Sequence, residues 1–166
     1  RADMGFEQYG GYAKLGYEIS QAWNVRADVN VTHFNASQPG TVTNPMADAD
    51  QRITRGMTSL SVENNYGRTS GALSLFYNWG RHRINDGYTV DPNDTNNPKD
   101  YRFNSRDDMM GVSWYQSARL FRGNRLTVGA DYYRFGGEAW NRYVEGDRKG
   151  ERSDIADKSQ DEVAGY

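Results

Sequence analysis

The sequence predicts an all-β chain: an antiparallel transmembrane β-barrel wall of about seven meandering strands. Three observations predict it. Seven stretches alternate apolar with polar side chains, as the two-residue repeat of a pleated strand requires. The connections between them alternate short and long. No apolar run approaches the roughly 18 residues of a membrane helix, so a spanning structure has to be a closed sheet. The clearest stretch is 25–34, where Val25, Ala27, Val29 and Val31 share one face and Arg26, Asp28, Asn30 and Thr32 the other. Unpaired buried charge is very costly, so that second face must meet water.

The first strand is expected over 9–19, with Tyr9, Gly11, Ala13, Leu15, Tyr17 and Ile19 opposite Tyr12, Lys14 and Glu18. A tight turn at 20–24 leads into the second strand, 25–34. Residues 35–50, which include Pro39, Gly40 and Pro45, have no period and read as a long loop. The third strand, 51–64, sets Thr58, Leu60 and Val62 against Ser59, Ser61 and Glu63, and turns back at 65–69. The fourth, 70–84, aligns Leu73, Leu75, Tyr77 and Trp79 against Ser74, Asn78 and His82, with Phe76 out of phase. A second long loop is expected at 85–104, rich in Asp, Asn and Pro. The fifth strand, 106–118, carries Met110, Val112 and Trp114 in phase and ends at a tight turn, 120–124. The sixth, 125–135, alternates Leu126, Val128, Ala130 and Tyr132 with Thr127, Gly129 and Asp131. A third long loop, 136–160, then precedes the start of a seventh strand at 161–166.

Composition narrows the function classes. The chain of 166 residues reads as one domain, 1–166, with 36% hydrophobic residues and a mean hydropathy of −0.94, low for an ordinary core. Aromatic residues make up 13%, which argues against disorder. A net charge of −2, with no basic run or stacking platform, argues against a nucleic-acid partner. Without cysteine there is neither a disulfide framework nor a thiolate metal site. The histidines are His33 and His82 alone, and Asp107 and Asp108 are strand neighbours that point to opposite faces, so no acid–base or nucleophilic constellation forms. An enzyme is not expected.

Long hairpin-linked strands, with short turns at one end and long loops at the other, are the plan of outer-membrane barrels. Tyr17, Tyr77, Trp79, Trp114 and Tyr132 stand on the apolar faces where an interfacial girdle belongs. A soluble barrel or sandwich would bury the same apolar face inside. Membrane barrels of bacteria have an even strand count. Seven strands therefore mean either an eighth at 1–8, giving a small passive barrel, or a piece of a larger one.

The runs LTVGADYYRFGGEAWN at 126–141 and DEVAGY at 161–166 resemble the barrel of TonB-dependent outer-membrane receptors, in the branch that includes cobalamin, haem and siderophore transporters. The order of short turns and long loops is similar to the early barrel strands of that family. The resemblance implies a fragment of a 22-stranded barrel whose lumen is plugged by an N-terminal domain, set in the bacterial outer membrane. It implies lipid, a scarce nutrient, the TonB complex acting through the plug, and a surface lipoprotein as candidate partners. The chain contains neither plug nor energy-coupling box, so coupling is expected to belong to residues outside it.

Two sets of site residues follow. Tyr88, Tyr101, Trp140, Arg142 and Tyr143 fall in the expected extracellular loops, and rings with Arg are what binding surfaces favour; the same rings could equally pack on one another. Asp48 and Asp50, with Asp91, Asn93 and Asp94, offer oxygen ligands for calcium, the single cofactor considered. The EF-hand order is missing, and a solvated turn-rich loop accounts for the same residues.

Overall fold

Every predicted strand forms, and each runs further than its alternation suggests. The protein is described by a computed structural model over residues 5–43, 45–89 and 100–166. In chain order the strands are β1 (Phe6–Ser20), β2 (Trp23–Ser37), β3 (Met46–Asn65), β4 (Thr69–Thr89), β5 (Tyr101–Ala118), β6 (Leu126–Tyr143) and β7 (Arg152–Gly165). Each pairs antiparallel with the next, giving one seven-stranded sheet in sequence order, with no helix among the described residues.

The register explains why hairpin follows hairpin. Leu15 pairs with Ala27, and the row continues through Leu60, Leu75, Val112 and Tyr132 to Val163. The row beside it, toward the turns, runs Tyr17, Val25, Val62, Leu73, Trp114 and Ala130. A slip of one residue in any pair would throw these side chains to the other side, so the alternation itself specifies the register. We call this side the leucine face. The opposite, serine face carries Arg26, Ser61, Ser74, Ser113 and Asp131 in one row. There Ser59 Oγ donates to Asp28 Oδ1 and Ser113 Oγ to Asp131 Oδ1, both at 2.6 Å, and Arg26 meets Glu63 at 3.3 Å.

Each of the three expected long loops contains a substantial stretch of strand. Residues 35–37 and 46–50 belong to β2 and β3, 85–89 and 101–104 to β4 and β5, and 136–143 and 152–160 to β6 and β7. What remains between strands is 38–45, 90–100 and 144–151. The connection 119–125 is nearly as long as 144–151, so the contrast of short and long ends rests mainly on 21–22 and 66–68. The physical reason is a change of phase. Beyond the row of Val31 and Trp79 the leucine face turns polar, with His33, Arg52, Arg81 and Arg83, while the serine face gains Phe34, Ile53, Ile84 and Phe103. A pattern that swaps sides partway along a strand reads as no pattern at all.

Three glycines let side chains two strands apart meet. Arg55 on β3 reaches Asp107 on β5 across Gly80, where a Cβ would lie 2.5 Å from Asp107 Oδ1. Asn64 and Gln116 exchange amide hydrogen bonds of 3.2 Å across Gly71. Phe76 and Tyr133 approach to 5.8 Å between ring centroids across Gly111, which accounts for the aromatic ring that Phe76 places on the serine face.

Among the described residues nothing covers either face. Among the described residues the one buried hydrophobic side chain is Ala49, while Leu15 is 74% exposed, Leu60 41% and Leu75 40%. A sandwich would seal such residues between sheets. β1 and β7 make no contact with each other, so the sheet is open along both edges.

Candidate functional site

The phase change divides the residues singled out as ligand contacts. Tyr101 begins β5 and pairs with Tyr143 of β6 on the serine face. Their rings meet edge to face at 5.9 Å. Arg148, from the connection 144–151, lies 4.0 Å over the Tyr143 ring, donates to its hydroxyl at 2.8 Å, and donates from Nε to Glu151 at 2.9 Å. The hydrogen bond to the Glu151 carboxylate holds the Arg148 guanidinium above its ordinary pKa. Trp140 and Arg142 are an odd number of residues from Tyr143 and so stand on the leucine face. Arg152 stacks on Trp140 at 4.3 Å. All four residues lie in strands rather than in loops. Tyr88 pairs through its backbone with Ala47 inside β4; its side chain lies outside the described residues.

The calcium candidates separate in the same way. Asp48 and Asp50 are in β3, and each faces an arginine: Asp48 Oδ2 is 3.5 Å from Arg102 and Asp50 Oδ2 is 3.9 Å from Arg52. Asp48 adopts φ of 53° opposite Gly87 at 66°, a local left-handed kink that Asp tolerates better than most residues. Its carbonyl accepts from the Asn85 side chain. Among the described residues no three carboxylates or histidines converge on a metal position. Asp91, Asn93 and Asp94 lie outside the described residues.

A polar network that the sequence reading missed sits on the serine face. Arg55 Nη2 donates to Asp107 Oδ2 at 2.6 Å, and its Nη1 lies 3.3 Å from His82 Nε2. Arginine can only donate, so the ring accepts at Nε2 and gives its Nδ1 hydrogen to Ser105 Oγ at 3.0 Å. His82 and Arg55 could have been placed on one face by counting in twos from Ser74 and Ser59; which acid answered them depended on register. The Arg55 and Asp107 side chains are 56% and 43% exposed, so Asp107→Asn is expected to cost only about 0.2–1 kcal/mol. Thermal melts at low and high salt check this, because the difference should vanish as salt screens the pair.

A second missed group lies on the leucine face. Glu138 receives Arg106 at 2.6 Å and Arg152 at 2.9 Å, and Arg152 also reaches Asp154 at 2.5 Å. Arg81 and Arg83 continue the phase of Trp79 along β4, a signal available in the alternation of Trp79, Arg81 and Arg83 themselves. Comparison with family models, with curated proteins and with solved structures finds no match for this chain.

Proposed function

We propose that this sheet is a stretch of the wall of a bacterial outer-membrane barrel, and that the barrel is a TonB-dependent receptor importing a scarce nutrient such as cobalamin, haem or a ferric siderophore. The observation that carries the reading is the uncovered leucine face, whose apolar rows cross from β1 to β7 with lipid as their natural solvent. The upper limit of that band is level from Val31 on β2 to Trp79 on β4 and falls beyond β4. On β2 it ends at Val31, followed by His33; on β6 it ends at Tyr132, followed by Arg134. The row of Tyr132 meets β2 at Ala27, four residues short of Val31. Averaged from β2 to β6, four residues of about 3.4 Å against four interstrand steps of about 4.8 Å give a mean slope of roughly 35°, within the range of strand tilts in membrane barrels.

Strand length agrees. β4 has 21 residues, whereas about 9–11 suffice to cross the bilayer. The half toward 21–22, 66–68 and 119–125 would cross, with Trp23, Tyr17 and Trp114 at one rim and Tyr77 and Trp79 at the other, and the remainder would stand outside. The serine face then lines a wet lumen, and Tyr101 and Tyr143, with Phe34, Ile53 and Phe103, face the mouth where a nutrient arrives. Both open edges call for further strands, in keeping with a 22-stranded wall. The transport assignment rests on the resemblance of 126–141 and 161–166 to that receptor family, with coupling supplied by a plug outside this chain.

The test is uptake by cells expressing the full-length gene product, with the TonB coupling system intact or deleted. Accumulation is expected to fall to the passive background without coupling. Uptake indifferent to the deletion would instead mark a passive barrel.

A further inference from the structure

Along β4 the leucine face reads Leu73, Leu75, Tyr77, Trp79, Arg81, Arg83. Aliphatic side chains give way to aromatic ones, and these to cations, within one strand. Arg81 stands 5.9 Å from the Trp79 ring centroid. Beyond that ring, Arg52, Arg81, Arg83 and Arg106 line a cleft of about 350 Å³ with His33 and Trp140, and among the described residues no carboxylate lines it. Arg106 is held by Glu138, and Arg52 lies at the limit of an ion pair with Asp50. Arg81 and Arg83 have no carboxylate partner among the described residues, and both are exposed. Guanidinium groups gathered this way repel one another, and a phosphate relieves the repulsion with paired hydrogen bonds.

We propose that this cleft binds the phosphate of a lipid headgroup whose acyl chains lie along the leucine face. The inference rests on the membrane-facing reading of that face. A lipid fits better than a soluble anion because the cleft continues the apolar band on the same side, starting one strand repeat past Trp79. Hydrocarbon, ring and cation therefore follow the order of tail, interface and headgroup.

The full-length gene product, placed in phosphatidylcholine nanodiscs containing either diphosphorylated lipid A or its dephosphorylated form, would be examined for retained lipid by native mass spectrometry. The phosphorylated lipid should be retained in preference. That preference should drop roughly tenfold for each of Arg81→Gln and Arg83→Gln, while Arg122→Gln in the connection 119–125 leaves it unchanged. Equal retention of both lipids, or an unaltered preference in the double variant, overturns the site. Binding of inorganic phosphate without lipid preference assigns the cleft to a small soluble anion and overturns it too. Failure to enter nanodiscs as a heat-modifiable barrel removes the membrane reading and the lipid site together, whereas an inserted barrel without preference removes the lipid site alone.

Discussion

Leu75→Arg is expected to lower folding stability in lipid by about 2–4 kcal/mol, the cost of a cation at the bilayer midplane of a membrane barrel. Leu75 lies between Leu60 and Val112 in its row and between Leu73 and Tyr77 along its strand. No acid stands near enough on that face to accept the guanidinium; the acids of the leucine face, Asp108 and Asp161 among them, sit in rows nearer the 90–100 end. Ser74→Arg makes the useful contrast. Its neighbours on the serine face are Ser61 and Ser113, with Asp131 next along, so the same charge there should cost less than about 0.5 kcal/mol, as surface substitutions do. Denaturant titration of the full-length gene product refolded into vesicles measures both. Equal costs would mean that the leucine face does not meet hydrocarbon.

Gly71→Val should destabilise by about 1–3 kcal/mol, for a different reason. A Cβ at Gly71 would run into the Tyr115 carbonyl oxygen, which is backbone and cannot swing aside, and into the Gln116 amide. Overfilling a site that cannot relax carries a cost of that order, and here it also breaks the paired amides of Asn64 and Gln116. Gly137→Ala is the control, since a Cβ there meets only the Arg106 carbonyl oxygen at an ordinary 3.7 Å. The same titration reads both variants. A silent Gly71→Val would mean that β4 and β5 can separate locally without loss.

The strands were legible wherever one face stayed apolar. Leu60 and Val62, or Val112 and Trp114, announce their side because no polar residue interrupts them. Legibility failed further out, at 35–37, 46–50, 85–89, 101–104 and 136–143, where neither face stays apolar and where Gly87, Gly136 and Gly137 weaken strand propensity. Those stretches are held in the sheet by pairing on both sides, which a single sequence does not display. The candidate ligand residues suffered from the same cause. Taken as loop residues, Trp140, Arg142 and Tyr143 had no sides; once in β6, the alternation of the pleat sends Trp140 and Arg142 to one face and Tyr143 to the other. Tyr101 and Tyr143 were both marked, but their meeting depended on the β5–β6 register. Arg55 and Asp107, two strands apart, could be joined only through the vacancy left by Gly80.

The descending edge of the apolar band has a geometric consequence for whatever completes this wall. The band ends four residues lower on β6 than on β2, with the whole drop beyond β4; in the proposed barrel such an offset would make the wall climb like a ramp as it went round. If the sheet is part of the proposed barrel, a strand docking on β7 would carry its aliphatic window closer to its turn end than β6 does, and one docking on β1 would carry it closer to its loop end. In a barrel closed at that mean slope the accumulated offset over a full circuit would approach the number of strands, and the seam where the wall met itself would record how many strands it took to close.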